Sequence, residues 1–238
     1  AAERAIPAVV ELGGKSAAVV MPDADLDKVV NSAKGAIFGQ AGQICSAMSR
    51  VIAHKSVKNE LVDKLSNLAN SLKVGHGSED GTDLTPVISE EQLQKIENYS
   101  RSGQQAGANA VVGGKRVDRK GYFFEATVFD NVQPEMTIAQ EEIFGPVLSV
   151  LEYSDEEEAV SIANNTEFGL AAGVFTNDVN KATSMASQLN GGQVYVNSWF
   201  TGSVATPFGG YKQSGYSREK GQEAIKSYLQ LKNIGIQL

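Results

Sequence analysis

The 238-residue sequence is poor in the residues that build disulfide frameworks and metal sites. It contains one cysteine, Cys45, and two histidines, His54 and His76. A single cysteine cannot form an internal disulfide, so the chain fits a reducing compartment, and we predict a cytoplasmic location. Neither histidine has metal-ligand spacing to Cys45, and therefore no metal site is predicted.

An excess of positive charge is missing as well. The 21 lysine and arginine residues are outnumbered by 28 aspartate and glutamate residues, which gives a formal net charge of −7. Nucleic acids and anionic membrane surfaces require clustered positive charge, so neither is a predicted partner. The sequence also has no apolar run of membrane-spanning length. It opens on Ala1 without an initiator methionine, and we expect it to be a fragment of a longer protein.

The sequence does contain an alternation of strand-like and helix-like segments, with a hydrophobic fraction of 42% that is sufficient for a sizeable core. Strands are predicted at 17–21, 50–54, 110–112, 146–151, 171–175 and 193–196. Helices are predicted at 26–37, 61–72, 90–101, 155–164 and 177–189. This alternation predicts an α/β fold, a three-layer αβα sandwich around a mostly parallel sheet. The last segment, 227–238, alternates apolar and polar residues and predicts an exposed or exchanged strand.

Cys45 lies in the segment GQAGQICSAMSR, which consists mainly of small and polar residues. A structural cysteine usually lies in an apolar periodic segment, whereas a reactive one needs exposure and groups that favour the thiolate. The position of Cys45 between a helical pattern and a strand favours a reactive thiol, although composition alone favours a structural one. We expect an accessible sulfur with a pKa below the value of about 8.5 for free cysteine.

Two common ligand motifs are incomplete. The segment GGKS at 13–16 ends like a phosphate-binding loop, but the first glycine of that motif would fall at Val9. The pattern G-x-G-x-x-G occurs nowhere, so the sequence gives no Rossmann fingerprint. A cysteine hydrolase with His54 as its base remains an alternative, although the place of His54 in an apparent strand favours a structural role.

Four further motifs occur in a defined order. They are ELGGKS at 11–16, GQICSAMSR at 42–50, EEIFGP at 141–146, and PFGGYKQSG at 207–215 followed by Arg218 and Glu219. In this order and at this spacing they resemble the NAD(P)-dependent aldehyde dehydrogenases, and the resemblance runs nearly from end to end. It implies an aldehyde dehydrogenase-like catalytic domain at 1–226 and a C-terminal strand for oligomer assembly at 227–238.

The resemblance implies a reaction that oxidises an aldehyde to a carboxylic acid. Cys45 would be the nucleophile that forms a thiohemiacetal and then a thioester, with NAD or NADP accepting the hydride. Glu11 would be the general base that activates water for thioester hydrolysis. The backbone N–H of Cys45 would donate a hydrogen bond to the oxyanion.

The remaining site residues are implied by the same resemblance. The expected cofactor-binding residues are Glu142 at the nicotinamide ribose, Phe144 beside the nicotinamide ring, and Gln92, Lys95 and Leu12. The expected substrate-binding residues are Ile44, Ser46, Phe200, Gly202 and Phe208, and Glu219 is expected on the proton path. Trp199 lies on the segment that would line the tunnel entrance. Without the motif, Phe144 would be interpreted as a core residue.

The resemblance leaves several alternatives open. The tunnel is expected to be apolar or aromatic, which suits an aliphatic, an aromatic or a cationic aldehyde. The coenzyme domain of the family would precede Ala1, so the chain alone is not expected to turn over aldehyde with NAD. A dimer or tetramer of identical chains is the expected assembly. A CoA-dependent relative and a structural protein derived from the family are the rival interpretations, and the presence of Glu11 favours hydrolysis.

Overall fold

The computed structural model describes all residues, 1–238. The strands are β1 Val10–Glu11, β2 Ala17–Val20, β3 Arg50–His54, β4 Asn109–Val112, β5 Thr127–Asp130, β6 Val147–Tyr153, β7 Phe168–Gly169, β8 Ala171–Phe175, β9 Gln193–Val196, β10 Tyr211–Lys212 and β11 Gly215–Tyr216. The helices are α1 Leu26–Ala33, α2 Lys58–Ser71, α3 Glu90–Gln105, α4 Thr137–Gln140, α5 Glu156–Asn164 and α6 Val179–Gln188.

Seven of the strands form the central sheet, in the order β4-β5-β6-β3-β2-β8-β9. All neighbours are parallel except β4 and β5, which confirms the predicted α/β fold with a mostly parallel sheet. Every residue of β2 and β8 is buried, because helices cover a parallel sheet and leave no polar face. The continuous apolar segments AAVV and AAGVF have this origin.

The helices pack as pairs against the sheet. The pair α1 and α2 reaches the sheet through α2, and the pair α5 and α6 contacts β2, β3, β6, β8 and β9. Aspartate or serine side chains cap the first turns of α1, α3, α5 and α6, where they accept hydrogen bonds from backbone N–H groups. None of the helices combines the length and apolar character needed to cross a membrane.

Several element boundaries differ from the sequence prediction. The predictions for β3, β8 and β9 are confirmed residue by residue, whereas β5 was not predicted. The first helix changes after Ala33 into a π-helical turn, Lys34–Phe38, which leads into the cysteine segment. The segment 229–238 is exposed and pairs with no strand in the single chain, so an exchanged strand there stays a prediction.

The sheet order determines where the sequence motifs meet. Strands β6, β3 and β2 are adjacent and parallel, so the segments that precede them lie together at the amino ends of these strands. Glu142 lies shortly before β6, Cys45 before β3 and Glu11 before β2. The motifs therefore meet at the amino ends of the strands, whereas ligands of open α/β sheets usually bind at the carboxyl ends.

Candidate active site

The Glu11 segment is fixed by the PFGGYKQSG motif. Strand β1 pairs with β11, so that Glu11 lies opposite Gly215. Gly215 has φ +112°, and a side chain on it would collide with the carbonyl group of Val10. Ser214 holds the next residues, because its carbonyl accepts from Leu12 N at 3.1 Å and its Oγ donates to Gly13 O at 2.7 Å. Ser214 belongs to the PFGGYKQSG motif, but the sequence alone indicates no role for it.

Cys45 is half-buried beside the Glu11 carboxylate. Burial, followed by the charge and hydrogen bonding of Glu11, raises the pKa of the Cys45 thiol to about 11. The expectation of a lowered thiol pKa is therefore wrong for the chain without ligands, because desolvation and a neighbouring carboxylate both disfavour the thiolate. The backbone and side chain of Ser46 oppose this effect by hydrogen bonding, but they do not outweigh it.

The pKa of Glu11 is also shifted upward. Burial raises its pKa, and the charges of Glu219 and Glu142 act in the same direction, although the Cys45 thiol lowers it by hydrogen bonding. One oxygen, Oε1, is buried without a hydrogen-bond partner. One oxygen of Glu11 is thus free to accept a proton, and a raised pKa brings a carboxylate closer to the range that is useful for proton transfer.

We predict that alkylation of Cys45 by iodoacetamide rises about tenfold per pH unit through neutral pH and levels off near pH 11. Below the pKa of the thiol, the thiolate fraction falls tenfold for each pH unit. Because the pKa of Cys45 is raised, this pH range extends to higher pH than for a free cysteine. Glu11→Gln removes the negative charge, so the midpoint will fall and the rate at pH 7 will increase. The control Glu90→Gln removes an exposed carboxylate paired with Arg116 and will leave the profile unchanged. A midpoint near 8.5 in the unsubstituted chain would contradict the prediction.

Glu142 packs against the glycine pair of the first motif. Its Oε1 accepts a hydrogen bond from Gly14 N at 3.0 Å, and a side chain at Gly13 would collide with the carboxylate. A methyl group at Gly14 would lie 2.7 Å from the carbonyl oxygen of Cys45. The two glycines therefore allow Glu11, Cys45 and Glu142 to approach one another.

The loop after Glu142 is held in an unusual conformation by Gln92. Phe144 has φ +58°, in the left-handed region that few large side chains adopt. Gln92 Nε2 donates to the carbonyls of Ile143 at 3.0 Å and Phe144 at 2.8 Å. Both N–H donors of Gln92 are thus committed to the backbone, and its direct action in this structure is to position Phe144 rather than to contact a ligand with its amino group.

Lys95 and Leu12 lie outside the narrow cleft that Glu142 and Phe144 line together with Gly14, Gly42 and Ile44. The Lys95 Nζ stands 5.8 Å above the ring of Tyr99 on the exposed part of α3. Leu12 is 49% exposed. The structure therefore groups Glu142 and Phe144 closely and leaves these two residues at the periphery.

A cavity of about 550 Å³ adjoins the nucleophile segment. Its wall includes all five expected substrate-binding residues, Ile44, Ser46, Phe200, Gly202 and Phe208. Residues from two distant parts of the sequence, 40–46 and 193–220, close around this space. A volume of this size accommodates a small organic molecule.

Trp199 does not line this cavity but supports its floor. The indole is 9% exposed, and its Nε1 donates to the carbonyl of Ser46 at 3.0 Å. Tyr195 packs on the indole with ring centroids 5.3 Å apart, and a methyl group at Gly173 would lie 2.7 Å from it. The segment expected at the tunnel entrance lines the cavity through Phe200 and Gly202, whereas the Trp199 side chain turns inward and holds the residue next to Cys45.

Two buried cations lie behind the site. Arg50 is 1% exposed and donates to the carbonyls of Lys15 at 3.0 Å, Ile162 at 3.0 Å and Ala163 at 2.8 Å. Lys15 Nζ is buried without a hydrogen-bond partner, and burial followed by the Arg50 charge lowers the pKa of Lys15 to about 7. Arg50 thereby ties the start of β3 to the first motif and to the end of α5.

His54 lies at the opposite end of β3 from the cysteine segment. Its Nδ1 is 2.7 Å from Ser56 Oγ, and its ring makes an edge contact with Tyr153 at 5.3 Å. A base for Cys45 must lie within hydrogen-bond reach, directly or through one water. His54 is therefore too far away to act as a base for the Cys45 thiol.

Known proteins are similar to this chain in sequence and in fold. Residues 1–234 match the model of the aldehyde dehydrogenase family. The putative aldehyde dehydrogenase DhaS of Bacillus subtilis is 43% identical and covers 96% of this chain and 46% of its own length. The betaine aldehyde dehydrogenase of Brucella melitensis is 42% identical and covers 96% of this chain and 48% of its own length.

A solved structure has a closely similar fold. The NAD+ complex of the aldehyde dehydrogenase from Bacillus cereus superposes with a TM-score of 0.93, at 43% identity, over 95% of this chain and 46% of that chain. The chain thus spans about half the length of the relatives it matches. Since the family model covers nearly every residue and the fold agrees, the chain belongs to the aldehyde dehydrogenase family.

Proposed function

We propose that the chain is the nucleophile-bearing part of an enzyme that oxidises an aldehyde to a carboxylic acid with NAD or NADP. The observation that supports this most directly is the meeting of Cys45, Glu11 and Glu142 at one edge of the sheet, beside a cavity with all five expected substrate residues. The division into a catalytic domain at 1–226 and an assembly strand at 227–238 is part of the same proposal. A cytoplasmic location, based on the single cysteine, is a further part.

The first chemical step forms a bond between Cys45 Sγ and the aldehyde carbon. The thiol is protonated at neutral pH, so its proton must leave as the bond forms, and Glu11 is the adjacent carboxylate with a free acceptor oxygen. The carbonyl π electrons move to the oxygen, which accepts a hydrogen bond from the Cys45 backbone N–H. The product is a thiohemiacetal in its oxyanion form, and Glu11 holds the former thiol proton.

The second half of the reaction releases the acid. When bound, NAD or NADP accepts the hydride from the thiohemiacetal carbon, which leaves a thioester on Cys45. Glu11 first releases the former thiol proton to solvent, with Glu219, whose charge acts on Glu11, as the proposed relay. Glu11 then removes a proton from water, the hydroxyl oxygen attacks the thioester carbon, and the C–S bond breaks. The Cys45 thiolate leaves with the electron pair.

The residues present fit one end of a nicotinamide cofactor. A carboxylate accepts hydrogen bonds from a ribose diol, and Glu142 has an oxygen available besides the one that accepts from Gly14 N. The glycines at 13 and 14 allow the Glu142 carboxylate to pack closely on the backbone of the first motif, which fixes its position. A relative crystallised as an NAD+ complex supports the same type of cofactor. Gln92 acts through Phe144 in this proposal, and Lys95 and Leu12 would contact the cofactor only from the periphery.

The direct test is the hydrolysis of p-nitrophenyl acetate, because acyl transfer to Cys45 and attack by water need no cofactor. The chain should hydrolyse the ester, and Cys45→Ala should remove that activity. NADH formation also needs adenine and pyrophosphate contacts, which the resemblance assigns to the part of the family that this chain does not span. Ester hydrolysis that persists in Cys45→Ala would refute the assignment of the nucleophile.

We predict that the C-terminal segment assembles identical chains into a dimer or tetramer. Leu231, Ile234 and Ile236 are between 74% and 106% exposed, and an unpaired strand with an apolar face recruits another strand. Sedimentation at micromolar concentration should show an oligomer that the double substitution Leu231→Glu with Ile234→Glu dissociates. Gln230→Glu, which adds one charge without removing an apolar group, is the control. A monomeric unsubstituted chain would contradict the prediction.

A further inference from the structure

The cavity beside Cys45 has a single charged residue in its wall. The other twelve lining residues are aromatic, aliphatic, glycine, amide or hydroxyl residues: Gln40, Ile44, Ser46, Gln193, Tyr195, Phe200, Thr201, Gly202, Ser203, Val204, Thr206 and Phe208. Lys220 is the exception. The acidic residues Glu11 and Glu219 are near Cys45 but do not belong to this wall. The charge that a substrate meets in the cavity itself is therefore positive.

The backbone fixes Lys220 next to an aromatic wall residue. Phe208 and Glu219 pair in antiparallel fashion, with N–H to carbonyl distances of 2.7 Å in both directions. This pairing brings the following residue, Lys220, over Phe208, with its Nζ 5.2 Å from the ring centroid. That distance is within the range of a cation–π interaction. The lysine thus occupies the position on this ring that a cationic substrate would need.

No carboxylate neutralises this lysine. The ten salt bridges of the chain involve other lysine and arginine side chains, and Lys220 takes part in none of them. Its ammonium group also donates no hydrogen bond to another residue. A ligand with a carboxylate would supply the missing partner.

We propose that this site accepts an aldehyde with an anionic group, such as a carboxylate, at the end away from the carbonyl, and disfavours a quaternary ammonium aldehyde. The proposal rests on the proposed function, since it assigns the aldehyde class to the same cavity. Lys220 attracts the anionic group and repels a cation that approaches Phe208. Among the neighbouring wall residues, the Ser203 hydroxyl, which accepts from Ala205 N, and the side-chain amide of Gln40 donate no hydrogen bond within the chain and offer further donors to a carboxylate.

The test uses three N-alkyl iodoacetamides that share one spacer and end in a carboxylate, a methyl group or a trimethylammonium group. Each reagent alkylates Cys45 with loss of iodide. The rates therefore show how the charge on the reagent affects its binding in the cavity, and they require no enzyme turnover. Each rate is divided by the rate of the same reagent with free cysteine. On this scale we expect the anionic reagent to react about fivefold faster than the cationic one, a ratio that corresponds to the energy of an exposed charge interaction. Several spacer lengths locate the best fit.

Substitutions at Lys220 decide whether this residue is the cause. Lys220→Gln should remove the preference and Lys220→Glu should reverse it, while the neutral reagent keeps its rate. Lys226→Gln removes an exposed lysine that pairs with Glu223 outside the cavity, and it should leave the preference unchanged. Equal preferences in the unsubstituted chain and in Lys220→Glu would overturn the proposal. A failure of the proposed function would appear separately, as ester hydrolysis that does not depend on Cys45.

Discussion

Glu11→Gln will stop ester turnover at the acyl-enzyme. We expect a burst of about one p-nitrophenol per Cys45, followed by a steady rate reduced by about 10²- to 10⁴-fold, the usual contribution of a general base. Acylation survives without Glu11 as proton acceptor, because the substitution also removes the charge that raises the thiol pKa, so that more thiolate forms by loss of the proton to solvent. Hydrolysis fails, because the amide that replaces the Glu11 carboxylate cannot accept a proton from water. Mass spectrometry of the intact chain will show the attached acyl group.

A neighbouring carboxylate provides the control for this experiment. Glu141 precedes Glu142 in the same motif, but its Oε2 accepts a hydrogen bond from Tyr99 at 2.7 Å and it interacts with α3 instead of Cys45. Glu141→Gln should retain steady turnover without accumulating acyl-enzyme. If Glu11→Gln turned over at the unsubstituted rate, Glu11 would not be the base for hydrolysis.

Arg50→Met will lower the free energy of unfolding by at least about 3 kcal/mol. The substitution keeps an apolar stem of similar length but removes three hydrogen bonds to buried carbonyls, and each unsatisfied buried group costs about 1–3 kcal/mol. Relief of the repulsion between Arg50 and Lys15 offsets part of this loss. Denaturant unfolding at constant m-value measures the difference as a shift in midpoint.

Arg116→Met is the matched control, since it makes the same chemical change at an exposed site. Arg116 forms a salt bridge with Glu90 at 2.6 Å, and the two side chains are 38% and 40% exposed. Exposed salt bridges contribute about 0–1 kcal/mol, so the midpoint should change little. Equal losses in the two variants would show that burial of Arg50 has no special energetic effect.

The sheet could be predicted from the sequence because its signal is local. The apolar segments of β2 and β8 and the alternation of strands with helices indicate a buried parallel sheet in any sequence of this type. Strand β5 was harder to recognise, because it ends on Asp130, a residue type that is uncommon in strands. The motifs also indicated Glu11, Cys45 and Glu142, and the structure brings these three residues together.

The rest of the site depends on contacts between distant residues. Gln92 reaches Phe144 across 52 positions, and Trp199 reaches Ser46 across 153 positions. Neither pairing leaves a pattern in a single sequence, since a glutamine on a helix and an indole after a strand are ordinary there. The thiol pKa was predicted in the wrong direction for the same reason, because its burial and its carboxylate neighbour arise only on folding.

Trp199 gives the nucleophile segment an optical reporter of its own. It is the only tryptophan in the chain, and its indole N–H is bonded to the residue that follows Cys45. Intrinsic fluorescence excited at the indole band therefore comes from this one place, without the mixture of emitters that complicates most proteins. Any event that shifts the Ser46 carbonyl, including acylation of the sulfur, will change the wavelength or intensity of that emission. Stopped-flow fluorimetry can thus follow chemistry at Cys45 in unlabelled protein.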